Sequence, residues 1–239
     1  MSSERYSKAE DLPSELPLFP LRGVILLPRT TLPFNIFEPR YLEMIDDVLA
    51  GERLIGLIQP KTRAASSQAP DEQAEQEVER HQSPRDNSWP LRGSGCLARL
   101  TAFEELDDGR LAINLTGICR FKLRDENDQG KPYRIGNIDV APYLSDLEAD
   151  QGEQEVDREK LLSLLRMYLD AHDLNADWRS IHRSSTAHLV NTLSIHSPYG
   201  SEEKQALLEA PSLKSRAEML MALAEMELAS KNDVGSSLQ

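Results

Sequence analysis

The spacing of apolar residues changes near residue 150, and this change constrains the fold more than any other feature of the chain. Before it, apolar and polar residues alternate in short runs that proline and glycine interrupt, which is typical of β-strands. After it, apolar residues recur every three or four positions, as on one face of an α-helix. The sequence therefore predicts an α+β protein, with a small β-structure first and a helical bundle after it.

A β-hairpin is the clearest element of the first half. Residues 95–105 and 111–115 alternate in polarity on either side of Asp108 and Gly109, and an Asp-Gly turn between two such runs favours a hairpin. Pro39 at a first-turn position predicts an amphipathic helix over residues 38–49. Other short apolar runs predict strands at residues 16–21, 24–27, 54–58, 118–123 and 133–140. We expect the strands to close a small sheet or barrel.

Three apolar stripes predict the helices of the second half, within residues 161–169, 178–193 and 213–228. The segment at residues 61–92 is rich in Ser, Ala, Gln and Glu and predicts a mobile insertion, with a short helix over 71–80 as the alternative. The expected divisions are a disordered tail over residues 1–14, the barrel over 15–145, the bundle over 146–231 and a disordered tail over 232–239.

Composition narrows the classes of function. The net charge of −13 and the pI near 4.9 oppose attraction to nucleic acid, which rewards clustered lysine and arginine. The amino terminus lacks an apolar leader, and no apolar run approaches the ~18 residues that cross a bilayer, so we expect a cytoplasmic protein without membrane contact. The cysteines and histidines lack the spacing of a zinc site, and there is no G-x-S-x-G elbow. We therefore expect no metal, no cofactor and no catalytic site.

Three motifs occur in the order found in one protein family. They are LPLFPL at residues 16–21 followed by IFEPRYL at 36–42, LTGICRF at 115–121, and EKQALLE at 203–209 with Arg216 downstream. Together they make residues 16–228 resemble the amino-terminal substrate-recognition domain of Lon-type ATP-dependent proteases. The resemblance implies a PUA-like pseudo-β-barrel followed by a C-terminal α-helical bundle. It also implies binding of unfolded or tagged polypeptide segments.

The chain departs from full-length Lon proteases because it lacks their ATPase and peptidase signatures. Gly51 and Gly56 have the glycine spacing of a P-loop, but Leu57 and Ile58 stand where phosphate binding requires Lys and Ser or Thr. The sequence thus predicts a stand-alone, non-catalytic polypeptide-binding or adaptor protein linked to protein quality control, with the cell's own Lon protease as a candidate partner. The alternative is an RNA-associated module, since RNA-binding proteins share the PUA-like barrel, although the acidic charge counts against it.

An apolar segment at residues 31–37 supplies the candidates for peptide binding. These are Leu32, Phe34, Ile36 and Phe37, and some of them must belong to the core. An exposed phenylalanine here would serve as an aromatic anchor for an unfolded segment. The neighbouring proline-rich strands also offer open backbone edges, to which an extended peptide adds as a strand.

Three charged residues are candidates for a structural ion pair. Glu38 and Arg40 lie at the start of the first predicted helix, and Arg120 lies among apolar residues in a predicted strand. A buried arginine needs a partner. We therefore expect Arg120 or Arg40 to pair with Glu38 and to fix the first helix against the barrel.

Overall fold

The computed structural model describes residues 6, 8–61, 89–148 and 152–236, and its architecture is α+β, as predicted. Six strands form one sheet. They are β1 Glu15–Pro20, β2 Thr31–Ile36, β3 Leu54–Pro60, β4 Leu91–Glu105, β5 Leu111–Asn127 and β6 Arg134–Asp139. The insertion predicted near residues 61–92 lies almost wholly outside the described residues, although its last two positions belong to β4.

The long hairpin of β4 and β5 organises the barrel. β5 pairs antiparallel with β4, with β2 through residues 111–116 and with β6 through residues 122–127. β1 lies between β3 and β6, parallel to the first and antiparallel to the second. The ring β5–β4–β3–β1–β6 therefore closes on itself, which confirms the predicted pseudo-β-barrel, and β2 is attached to it by one edge only.

The segment predicted as a strand at residues 24–27 is buried but irregular. Gly23 and Arg29 adopt left-handed backbone angles on either side of it. Its backbone bonds locally, since the Thr30 hydroxyl donates to Leu27 O at 2.6 Å. Gly117 of β5 lets the segment pass closely, because a Cβ there would lie 2.2 Å from Leu27 O. Local turn chemistry thus outweighs the extended pattern of the sequence.

Six α-helices complete the described part of the chain. They are α1 Pro39–Ala50, α2 Arg158–Ala171, α3 Trp178–Arg183, α4 Thr186–His196, α5 Ser201–Glu209 and α6 Leu213–Ser236. The side chains of Asp157, Asp177 and Ser185 accept backbone hydrogen bonds at the starts of α2, α3 and α4, as N-caps do. Because α6 continues to Ser236, the tail predicted over residues 232–239 begins inside a helix. Within the described ranges, no helix is long and apolar enough to cross a membrane.

The amino-terminal tail, predicted to be disordered over residues 1–14, is ordered at residue 6 and at residues 8–14. Tyr6 and Leu12 are 7% and 9% exposed, and both belong to an apolar cluster inside the barrel. Arg99 donates a hydrogen bond to the Tyr6 hydroxyl at 2.8 Å. Two apolar side chains among polar neighbours thus supply the burial that offsets the entropy of ordering this stretch.

One apolar core runs through the barrel and the bundle. Phe19 and Leu115 of the barrel and Leu207 and Leu220 of the bundle belong to the same buried cluster. The two parts are therefore packed together as one unit rather than as independent domains.

Arg120 anchors the bundle to the barrel. Its guanidinium lies 2.8 Å from each carboxylate oxygen of Asp146, and it donates to Leu208 O and Ala210 O at 3.0 and 2.6 Å. Such carbonyls at the end of a helix, here α5, lack partners within the helix. Burial by itself lowers the pKa of Arg120, but the hydrogen bonds and charge of Asp146 outweigh it, so the pKa is raised. Arg120 thus stays cationic while it holds α5 on the barrel.

Four further buried polar side chains extend this connection. Arg216 of α6 donates to Asn191 Oδ1 of α4 at 2.7 Å, and Gln59 of β3 donates to Gln205 Oε1 of α5 at 3.0 Å. We call the whole set the barrel–bundle joint: Gln59, Arg120, Asp146, Asn191, Gln205 and Arg216. Each of the six is at most 6% exposed. Buried hydrogen bonds are directional, so the joint orients the bundle relative to the barrel.

Candidate functional site

An apolar cleft of about 260 Å³ opens on the surface of the helical bundle, between α2, the end of α4 and α6. We call it the bundle cleft. Its floor is buried, since Leu161, Leu164 and Met221 are at most 8% exposed. Its walls and rim are formed by Leu165, Tyr168, Leu169, His172, Leu174, Leu193, His196, Ser197, Pro198, Tyr199, Leu220 and Ala224.

The end of α2 places one wall of the cleft. Asp173 adopts a left-handed backbone angle with φ of 53°, and Leu174 N donates to Leu169 O at 2.9 Å. Together with the bond from Asp173 N to Asp170 O, this is the Schellman pattern that ends a helix and brings the residue after the turn back toward its last turn. Leu169 and Leu174 therefore both face the cleft, and Leu174 is 53% exposed.

The opposite wall is low because α6 carries a small residue there. Leu220, Met221 and Ala224 share one face of α6, at positions i, i+1 and i+4, and line the cleft. Leu220 and Met221 are buried, whereas Ala224 has no side chain beyond its methyl group to fill the space before α2. α4 ends at the rim of the cleft. Ser197 follows this helix in an extended conformation and precedes Pro198.

The rim of the cleft carries polar groups with a negative bias. Tyr168 donates a hydrogen bond to Glu227 Oε1 at 3.2 Å, and its ring stacks on His172 with centroids 4.3 Å apart. His172 Nε2 lies 3.3 Å from the same carboxylate without being aligned to donate to it. Burial raises the pKa of Tyr199 to about 12, and the proximity of Tyr168 and Glu227 contributes. Burial and Glu227 likewise raise the pKa of Tyr168.

The two cysteines and Ser94 occupy buried structural positions. Cys96 and Cys119 are fully buried, and burial raises the pKa of the Cys119 thiol to about 12, whereas a reactive cysteine requires a lowered pKa. Lys122 Nζ donates to Ser94 Oγ at 2.7 Å, but Ser94 is buried beneath α5. Within the described residues, no three His, Cys, Asp or Glu side chains come together as a metal site. The chemistry that the bundle cleft offers is apolar binding.

The peptide-binding candidates of β2 divide between core and surface. Leu32 and Ile36 are 8% and 3% exposed and belong to the core, so they are wrong as contact residues. Phe34 is half-buried and packs edge-to-face on Phe19 with ring centroids 5.7 Å apart. Phe37, just beyond the strand, is 66% exposed. Leu32, Phe34 and Ile36 share the inward face of β2, because side chains two residues apart in a strand point to the same side, whereas Phe37 lies beyond the end of the strand.

The three charged candidates also separate. Arg40 Nη2 lies 2.7 Å from Glu38 Oε2, and the Arg40 guanidinium lies over the Tyr41 ring, 4.5 Å from its centroid. Arg120 does not meet Glu38, because Asp146 is its partner. The Glu38–Arg40 pair stays within the first turn of α1 and does not connect that helix to the barrel.

The bundle cleft was not among the sequence candidates. The stripe Leu161, Leu165, Tyr168 and Leu169 predicts a core face of a helix, and Leu161 does belong to the core. The signal that was available is the mixture of tyrosine and histidine with leucine along this stripe, since Tyr168 and His172 are amphipathic side chains suited to a boundary with water.

A closed barrel joined to a helical bundle that bears an open apolar cleft defines a class of α+β domain suited to binding apolar groups. Within that class, the chain belongs to the family described as the ATP-dependent protease La (LON) substrate-binding domain, whose family model matches residues 15–225. This confirms the resemblance seen in the sequence motifs.

Individual relatives agree with this assignment. The Lon protease of Flavobacterium johnsoniae is 25% identical over 241 residues, which cover 96% of this chain and 26% of that protein. The Lon protease of Escherichia coli K12 is 23% identical over 219 residues, which cover 90% of this chain and 25% of that protein. The chain thus spans about a quarter of the length of the curated relatives that it matches.

Two solved structures share the fold. The crystal structure of a Lon N-terminal domain protein from Xanthomonas campestris has a TM-score of 0.57 at 19% identity. The N-terminal domain of Mycobacterium avium complex Lon protease has a TM-score of 0.59 at 14% identity. In both cases the match covers 88% of this chain and 98% of the other, so the barrel and the bundle are matched together.

Proposed function

We propose that the protein is a non-catalytic polypeptide-recognition or adaptor protein of the cytoplasm, which binds unfolded or tagged segments through the bundle cleft in the service of protein quality control. The observation that carries the proposal is the open apolar cleft itself. Its lining is mostly apolar with a few polar groups at the rim, which is the usual composition of a concave binding site. Membership in a family described as a substrate-binding domain of a protease supports a polypeptide as the bound molecule.

The size of the cleft supports a side chain as its occupant. Pockets for small molecules usually enclose about 300 to 1,000 Å³, and the bundle cleft, at about 260 Å³, is smaller and open to solvent. One or two apolar side chains of an extended segment fit such a space. In a folded client these side chains are buried, so the cleft would favour unfolded segments over native proteins.

Phe37 offers a second contact on the barrel. It is 66% exposed and follows β2, the strand that is paired on one side only. A polypeptide held at the bundle cleft would gain from a second, weaker attachment by aromatic contact or strand addition. The partner that supplies clients or receives them is proposed to be the cell's own Lon protease.

A filled cleft tests the proposal. Ala224→Leu places a larger side chain between α6 and α2, whereas Ala222→Leu makes the same change on the exposed face of α6. Binding of fluorescein-labelled, reduced and carboxymethylated lactalbumin, which stays unfolded, is measured by anisotropy. We expect Ala224→Leu to weaken binding by about tenfold or more, the loss of one buried apolar contact of ~1.4 kcal/mol. Ala222→Leu should bind like wild type, and both should keep wild-type unfolding free energy within ~0.5 kcal/mol.

Two outcomes would contradict the proposal. Equal binding by both variants and wild type would show that the cleft is not the contact surface. Absence of polypeptide binding, together with salt-dependent binding of a single-stranded RNA probe, would instead support the RNA-associated alternative.

A further inference from the structure

Three carboxylates neighbour the cleft-lining residues of α2 and α6. Glu227 lies on the α6 side, bonded to Tyr168. Asp170 and Asp173 are exposed and alternate along the chain with the cleft-lining residues Leu169, His172 and Leu174. Three carboxylates therefore stand within one turn of chain from the apolar surface.

Two cations of α2 have other partners. Arg166 of α2 lies over the Trp178 ring, 4.6 Å from its centroid, and Lys160 Nζ lies 3.0 Å from Glu225 Oε1. The imidazoles of His172 and His196 also face the cleft. The charge of Lys160 is thus neutralised by Glu225, and the guanidinium of Arg166 faces the Trp178 ring.

Two helix ends add to the negative bias. α2 ends at Ala171 and α4 at His196, and the residues that follow each end line the cleft. A helix carries a partial negative charge at its carboxyl end, equivalent to roughly half an elementary charge. Both ends therefore disfavour an anion and favour a cation at the mouth.

We infer that the bundle cleft selects polypeptide segments in which an apolar side chain is flanked by lysine or arginine. The apolar side chain enters the cleft and the flanking cation lies at its acidic mouth, so charge complementarity identifies the occupant. This inference rests on the proposed function and specifies its substrate class. Acidic apolar segments are disfavoured because their carboxylates meet Glu227, Asp170 and Asp173.

Three labelled peptides test this selectivity. They share one apolar core, such as Leu-Tyr-Leu, and carry two lysines, two glutamines or two glutamates on each side. In fluorescence anisotropy at ~50 mM salt, we expect the lysine peptide to bind about tenfold more tightly than the glutamate peptide, with glutamine between them. At ~1 M salt, where the screening length falls to about 3 Å, the difference should fall to about twofold or less.

A matched pair of triple variants locates the effect. Asp170→Asn, Asp173→Asn and Glu227→Gln together remove the charges at the mouth, and asparagine tolerates the left-handed angle of residue 173. Glu104→Gln, Glu105→Gln and Asp107→Asn change the net charge equally at the exposed tip of the β4–β5 hairpin. The first variant should lose the preference for lysine, whereas the second should keep it.

The possible results separate the two claims. Equal affinity of wild type for all three peptides would overturn the inference and leave the proposed function intact. Equal loss of preference in both triple variants would also overturn it, because the total charge would then be the cause. If none of the peptides and no unfolded polypeptide binds, the proposed function fails as well.

Discussion

The barrel–bundle joint and the bundle cleft both involve helices of the bundle, but their relations to water are opposite. At the joint, polar side chains such as Arg120 and Asp146 are buried. At the cleft, apolar side chains such as Leu174 are exposed. Each arrangement is unfavourable unless something compensates for it. At the joint the compensation is internal, through hydrogen bonds, whereas at the cleft it would come from a bound partner.

The joint and the cleft therefore have different roles, the first in positioning the bundle and the second in binding. Hydrogen bonds from Arg120 to Asp146, Leu208 O and Ala210 O fix the position of α5 on the barrel. The cleft then lies on the face formed by α2, α4 and α6, away from these bonds. A change at the joint should therefore affect stability first, and a change at the cleft should affect binding first.

The largest effect is expected at the joint. Arg120→Met removes the guanidinium that pairs with buried Asp146 and donates to two carbonyls at the end of α5, which should lower the unfolding free energy by about 3–5 kcal/mol. Urea unfolding followed by circular dichroism measures this loss. Arg124→Met is the matched control, because Arg124 also pairs with an aspartate, Asp139, but its side chain is 65% exposed. The control should lose at most ~1 kcal/mol. Equal losses in the two variants would remove the distinction between the joint and an ordinary surface pair.

A smaller effect is expected for the pair at the start of α1. Glu38→Gln, Arg40→Met and the double variant form a cycle whose coupling should be about 0.2–1 kcal/mol, since both side chains are partly exposed and belong to one helical turn. The same unfolding measurement provides the values. A coupling above ~2 kcal/mol would contradict the view that this pair is an ordinary, partly exposed ion pair.

Local patterns in the sequence predicted most of the fold. The Asp-Gly hairpin, the helix that begins at Pro39 and the helices predicted within residues 161–169 and 213–228 are confirmed because each depends on neighbouring residues. The stripe over residues 178–193 is instead divided between α3 and α4 at Ser184 and Ser185. The family motifs supplied the closure of the barrel, which requires β5 to pair with β6 and β1 with β3. The order of the amino-terminal stretch was missed, because the burial of Tyr6 depends on distant Arg99 and the barrel core.

The sites were predicted less well for the same physical reason. The pairing of β2 with β5 determines that the face with Leu32 and Ile36 is buried and that the strand ends before exposed Phe37. The apolar neighbours of Arg120 in the sequence indicated that it needs a partner. They did not identify Asp146, because that residue lies 26 residues further along the chain. The bundle cleft depends on how α2, α4 and α6 pack and on the small Ala224 between them. No single stretch of sequence contains that information.

Site-specific cross-linking tests the central claim, that the bundle cleft is the polypeptide-binding surface, most directly. The photoreactive amino acid p-benzoylphenylalanine is placed at Leu174 on the rim, at Phe37 beyond β2, or at Phe103 on the barrel, all of which are exposed. After irradiation with labelled, unfolded lactalbumin, the yield of cross-linked product is measured for each position. We predict the highest yield from position 174, a lower yield from 37 and the lowest from 103. A yield at 174 no higher than at 103 would contradict the account.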